Sequence, residues 1–116
     1  MNEITDRSIM SALGRQLTVA VARQATAAGN LANVDTPGYR AREVAFDDVL
    51  NEQLAGSRPA IRTREAEGLP TRRDGNTVEL DRELLQMSRA SADFTAAQTA
   101  LSAKFRLVRY AINESK

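Results

Sequence analysis

The sequence has no cysteine and no histidine. The first absence excludes disulfides and thiolate chemistry, and the second removes the imidazole general base. Together they remove the commonest zinc ligands. Aromatic residues are scarce at 4%, and much of the 42% of hydrophobic residues is alanine, so many buried side chains contribute little area. With 116 residues, the chain is expected to form one domain at most, with a limited core of its own. The net charge is +1, which gives no global pull toward nucleic acid. No apolar run approaches the roughly 20 residues of a membrane span. Met1–Ile9 mixes polar and charged residues, so no cleavable secretory signal is expected. Composition by itself points to a cytoplasmic chain.

Catalytic constellations are missing too. The serines and threonines have no histidine beside them, and the only lysines, Lys104 and Lys116, sit in no recognisable motif. Asp47 and Asp48 are adjacent, so their carboxylates point different ways, and no calcium-loop spacing surrounds them. Gly29, Gly38 and Gly56 are isolated, which rules out a glycine-rich phosphate loop. The expectation is a non-enzyme without cofactor or metal.

What is present is helical periodicity at both ends. From about Thr5 to Val34, the residues Met10, Leu13, Leu17, Ala20, Gln24, Ala27, Leu31 and Val34 alternate steps of three and four, as in a coiled-coil seam. Thr5 or Asp6 can cap the start. Gln24 is a polar member of this seam; such positions cost stability but fix register. The helix is expected to stop at Thr36-Pro37-Gly38-Tyr39, where proline pre-sets φ and glycine supplies positive φ for a type II turn. Asn33 and Asp35 can bond back to local backbone there. Val44 and Phe46 suggest a strand within Tyr39–Phe46, followed by a short helix to Leu54.

From about Ala55 to Thr77 no period is sustained. Gly56, Pro59, Gly68, Pro70 and Gly75 punctuate the stretch, and Arg58, Arg62, Arg64, Arg72 and Arg73 make it basic. No aromatic is interleaved to stack on bases, so a solvated or partner-facing loop is expected rather than a nucleic-acid site. The last zone, Glu79 to Asn113, again follows a four-three spacing through Leu80, Leu84, Met87, Ser91, Phe94, Gln98, Leu101, Phe105, Val108 and Ile112. Asp81 and Glu83 near its start, and Lys104, Arg106 and Arg109 near its end, suit the helix dipole.

The predicted fold is mainly α. Long N- and C-terminal helices pair as a coiled coil around an irregular or partly β middle. The zones are 1–35, 36–54, 55–78 (a flexible basic loop) and 79–116. The expected subunit-packing residues are Leu13, Leu17, Leu31, Val34, Leu84, Met87, Phe94, Leu101, Phe105, Val108 and Ile112.

Ala28-Gly29-Asn30-Leu31-Ala32-Asn33-Val34-Asp35-Thr36-Pro37-Gly38-Tyr39 resembles the A-x-N-L/I-A-N-x-x-T-P-G-Y signature of flagellar axial proteins. The matching positions are Asn30, Leu31, Ala32, Asn33, Thr36, Pro37, Gly38 and Tyr39. Three more stretches, Tyr39–Phe46, Asp74–Leu80 and Leu101–Ile112, are similar to the proximal-rod branch of that family; the sister subunit FlgC, which shares the signature, is the alternative within it, and Asp74–Leu80 favours the proximal-rod branch. Glu43, Ala45 and Glu79 stand where aspartates are common, and Leu13 and Leu17 occupy the neighbourhood of an export-gate phenylalanine.

The resemblance implies a structural subunit of the basal body, in the proximal rod on the periplasmic side of the inner membrane, within the axis that transmits torque. It implies passage unfolded through the flagellar type III export gate without a cleaved signal. The implied partners are further copies, the rod subunits FlgC, FlgF and FlgG, FliE and the MS-ring protein FliF. Neither nucleic acid nor a membrane span is implied. The competing class is a coiled-coil export chaperone or adaptor, which has no need of the Thr-Pro-Gly-Tyr turn.

Overall fold

The computed structural model describes residues 6–45 and 61–114. Helix α1 runs Asp6–Ala32, strand β1 Arg42–Val44, strand β2 Thr63–Glu65 and helix α2 Leu80–Glu114. The candidate cap Thr5, the expected short helix up to Leu54, the Asp47–Asp48 pair and Arg58 lie outside the described residues. At a rise of about 1.5 Å per residue, the 27 residues of α1 span about 40 Å and the 35 of α2 about 52 Å. The molecule is correspondingly elongated, 68 × 28 × 18 Å.

The helices lie antiparallel. The end of α1 meets the lead-in to α2, where the Asn76 amide donates to the carbonyls of Asn33 and Val34. Further along, Gln16 Nε2 donates to the Asp93 carbonyl at 3.0 Å, and Arg23 approaches the Asp93 carboxylate at 3.8 Å. Ala20 and Ala27 of α1 and Ala90 and Ala97 of α2 are buried, and they form the seam of the pair. Alanine at these positions lets the helices come close but leaves little apolar area between them.

The α1 seam follows the expected one. Met10, Leu13, Leu17, Gln24, Leu31 and Val34 are half-buried around Ala20 and Ala27. On α2 the line facing α1 is Glu83, Ala90 and Ala97, and the seam read from the large residues is not that line. Met87, Phe94 and Leu101 are half-buried beside it, whereas Leu80, Leu84, Phe105, Val108 and Ile112 are 46–58% exposed. The physical reason is size: the inward positions carry alanine and one acid, while the larger side chains stand on the flank and at the free end.

Between the helices, β1 and β2 pair antiparallel, with Arg42, Glu43 and Val44 opposite Glu65, Arg64 and Thr63. A strand and a hydrogen-bonded lead-in thus occupy part of the stretch that patterning assigns to a flexible loop. All three β2 residues are exposed, so no apolar alternation marks the strand. Its backbone pairing and the Arg64–Glu43 ion pair at 3.1 Å hold it instead.

Candidate functional site

Two separate motifs interlock where α1 turns into β1. Tyr39 N donates to the Thr36 carbonyl at 3.2 Å, and Gly38 has φ 76°, as a turn with glycine in third place requires. Asn30, 1% exposed, works as a two-sided amide: Nδ2 donates to the Arg42 carbonyl at 2.9 Å and Oδ1 accepts from Arg42 N at 3.0 Å. The Tyr39 hydroxyl donates to the same Oδ1 at 3.2 Å. Asn33 Nδ2 donates to the Gly29 carbonyl and its Oδ1 accepts from the Thr36 hydroxyl. Each polar residue of the signature therefore fixes the path from helix to strand.

The lead-in to α2 closes over that turn. Asn76 is fully buried; its Nδ2 lies 2.9, 3.1 and 2.8 Å from the carbonyls of Asn33, Val34 and Thr36, and its Oδ1 accepts from Val78 N at 2.7 Å. Thr77 Oγ1 accepts from Ala41 N at 2.8 Å, and Thr77 N donates to the Tyr39 carbonyl. Gly38 N donates to the Asp74 carbonyl at 2.7 Å. A Cβ on Gly75, at φ 84°, would lie 3.3 Å from Gly38 Cα, so two glycine backbones pass at close range here. Beneath them Ala41, Ala66 and Val78 form a small apolar cluster with Val34, Tyr39 and Leu69 against it. Val34, one of the expected subunit-packing residues, is half-buried against this cluster.

The sides of the helix pair differ. One is a polar cleft of ≈ 450 Å³ lined by Arg23, Arg42, Arg64, Arg82 and Arg89 with Glu43, Glu83 and Asp93. Its charges pair internally: Glu43 lies between Arg64 and Arg82, at 3.1 and 3.6 Å, and the buried Glu83 accepts from Arg82 at 2.7 Å. The other side is an apolar groove, also ≈ 450 Å³, between Ala20, Val21, Gln24, Ala25 and Ala28 of α1 and Met87, Ala90, Ser91 and Phe94 of α2. Gln24 Oε1 is buried in its wall without a hydrogen-bond partner.

A third surface is the far end of α2. Counting back from the Gln16–Asp93 contact, Asp6 comes opposite about residue 103, so the last turns of α2 extend past the described start of α1. There Phe105 is 57% exposed, Leu107 64%, Val108 46%, Tyr110 68% and Ile112 58%. Phe105, Val108 and Ile112 share one face by their three-four spacing. Among the described residues no group of three or more potential metal-ligating side chains converges, and no helix is long and apolar enough to cross a membrane.

The sequence profile of a family described as Flagella basal body rod protein matches residues 7–40, which is α1 with the signature turn. The flagellar basal body rod protein FlgB of Escherichia coli (strain K12) is 28% identical over 113 residues, covering 78% of this chain and 82% of that protein. FlgB of Salmonella typhimurium (strain LT2) is 27% identical over the same shares. FlgB of Bacillus subtilis (strain 168) is 24% identical over 120 residues, 90% of this chain and 92% of that protein. Paired terminal helices locked through this turn, together with these likenesses, support a structural rod subunit of the bacterial flagellar basal body. Within that class the chain is similar to the rod proteins named FlgB. A rod subunit of the basal body associates with other flagellar components.

Proposed function

We propose that this chain builds the proximal part of the rod, acting by packing rather than catalysis, in the axis that carries motor torque. The observation that supports this reading is the inversion of its apolar residues. Alanines join the two helices to each other, while Leu80, Leu84, Phe105, Val108 and Ile112 are left 46–58% exposed. Exposed large residues along one element mark an interaction surface, and burying each in an assembly contributes about 1.5–3 kcal/mol. The locked turn suits the same role, because a subunit under torque needs its two helices held in a fixed relation.

The partners that fit are further copies of the chain and the rod subunits FlgC, FlgF and FlgG, with FliE and the MS-ring protein FliF at the base. The location that fits is the periplasmic side of the inner membrane, reached unfolded through the flagellar export gate. The test is a strain lacking this gene, scored for swimming and for rods in purified basal bodies, with the wild-type gene restored as control. Loss of both, rescue by the gene, and the chain in basal bodies next to the MS-ring are the expected results. Normal rods in the deletion strain would overturn the reading.

A further inference from the structure

The polar cleft holds more arginine than acid: five guanidinium groups line it against three carboxylates. The acids are already engaged within the chain. Glu43 lies between Arg64 and Arg82, Glu83 accepts from Arg82, and Asp93 faces Arg23. Arg42 meets no carboxylate; its Nε and Nη2 donate to the Thr63 hydroxyl and carbonyl, at 3.2 and 2.9 Å. Those bonds aim the guanidinium and leave its charge uncompensated. Arg89, exposed on the α2 wall of the cleft, has no hydrogen-bond or ion-pair partner among the described residues. Guanidinium forks match the two oxygens of a carboxylate, and side chains already fixed by neighbours lose little freedom when one arrives.

The opposite imbalance stands at the turn end of the molecule. Asp35, Glu67, Glu79 and Asp81 are exposed there, and none has an ion pair or side-chain hydrogen bond among the described residues. Arg73 is the basic residue at that end in the same condition. The interlock of Asn76 and Asn30 holds these acids outside their own cleft. From Asp81 to Arg89 alone, α2 rises about 12 Å.

We infer that the acidic turn end of one copy enters the arginine cleft of a neighbouring copy, its carboxylates taken up by Arg42 and Arg89. This rests on the rod-subunit reading and gives the cleft an occupant: a second copy of this chain. Charge complementarity selects which part of that copy fits. The far end of α2 carries Lys104, Arg106 and Arg109 and would be repelled, whereas the turn end carries the uncompensated acids. Turn end and cleft are different patches of one molecule, so the contact is heterologous, offset along the helix axis, and can repeat from copy to copy.

The test is a charge exchange in cells that have no other copy, scored as chain in purified basal bodies against chain in the cell. Arg89→Glu, at an exposed position, should melt as wild type and enter basal bodies at least about tenfold less. Arg89→Gln, which removes the charge without reversing it, should also enter less. Asp35→Arg, Glu67→Arg, Glu79→Arg and Asp81→Arg are then combined with Arg89→Glu one at a time. At least one pair should recover incorporation. Glu114→Arg, which restores net charge at the far end of α2, should recover none.

Normal incorporation of Arg89→Glu would overturn the proposal. So would a loss with glutamate but not with glutamine, which would mark misfolding or mere repulsion. A loss that no acid exchange reverses would give the cleft to a different protein and overturn the second copy as occupant. Recovery with Glu114→Arg would reduce the effect to net charge and overturn it as well. Absence of the wild-type chain from basal bodies would instead sink the functional reading itself.

Discussion

Replacing Asn76 by alanine tests the interlock at its most heavily used side chain. Asn76→Ala removes the two amide hydrogens directed at the carbonyls of Asn33, Val34 and Thr36, and the oxygen that accepts from Val78 N. The three carbonyls keep other donors: Thr36 N on Asn33, Arg72 Nη2 on Val34 and Tyr39 N on Thr36. Val78 N keeps none among the described contacts and lies in the buried cluster. An orphaned buried donor costs about 1–3 kcal/mol, and each net hydrogen bond lost about 1 more. With the two amide hydrogens counted, the sum is about 3–5 kcal/mol, a large part of the stability of any small domain.

Urea unfolding followed by circular dichroism measures the loss, and hydrogen exchange at Thr77 and Val78 locates it. The expected result is a lower midpoint with early exchange at those two amides. Thr77→Val, which removes only the acceptor for Ala41 N, should cost about 1–2 kcal/mol. Asn76→Ala within about 0.5 kcal/mol of wild type would refute the claim that this amide holds the turn against the lead-in.

Other substitutions separate the internal seam from the outer surfaces. Gly75→Ala forces a side chain into the left-handed region and to 3.3 Å from Gly38 Cα, whereas Gly38→Ala meets nothing within 4 Å. Both lose about 1–2 kcal/mol for conformation, and Gly75→Ala should lose more in thermal melts because the backbone contact adds to it. Ala90→Leu overpacks the helix seam and should destabilise the isolated chain by about 1–3 kcal/mol. Arg89→Gln removes an exposed guanidinium that has no partner among the described residues, so it should leave the isolated chain's melting unchanged while lowering its incorporation into basal bodies. The isolated wild-type chain should be largely monomeric and only partly helical, since its largest apolar residues await partners; slow exchange throughout both helices of a monomer would contradict this.

The first helix was legible because its inward seam carries leucines at Leu13, Leu17 and Leu31 as well as alanines, and the turn was legible because Pro37 favours its second position and Gly38 takes the positive φ of its third. The second helix misled as to phase. Patterning follows side-chain size, and there the inward line is Glu83, Ala90 and Ala97 while the leucines and phenylalanine stand outside it. Glu83 could not have been placed in a core from sequence, because its burial depends on Arg82, which itself reaches Glu43 on β1. Asn76 and Thr77 stood out only as part of a resemblance. Their work is to bind backbone about 40 positions away, as the Asn76–Thr36 contact spans |i−j| = 40, and a local window carries no signal of that. Strand β2 was missed because hydrogen bonds and ion pairs hold it, not an apolar face.

On the proposed reading, the exposed apolar end of α2 is an assembly surface and not part of the subunit's own fold. Phe105 and Val108, 57% and 46% exposed in the single chain, allow a clean separation. The chain carrying Phe105→Asp and Val108→Asp should melt within about 1 kcal/mol of wild type, as exposed substitutions generally do. In an interface each aspartate would add the desolvation of an unpaired carboxylate to the lost burial. The decisive measurement is the amount of this double variant in basal bodies purified from cells that have no other copy, set against its level in the cell. The expected result is a normally produced, normally folding subunit that is missing from the rod. A double variant incorporated at the wild-type level would contradict it.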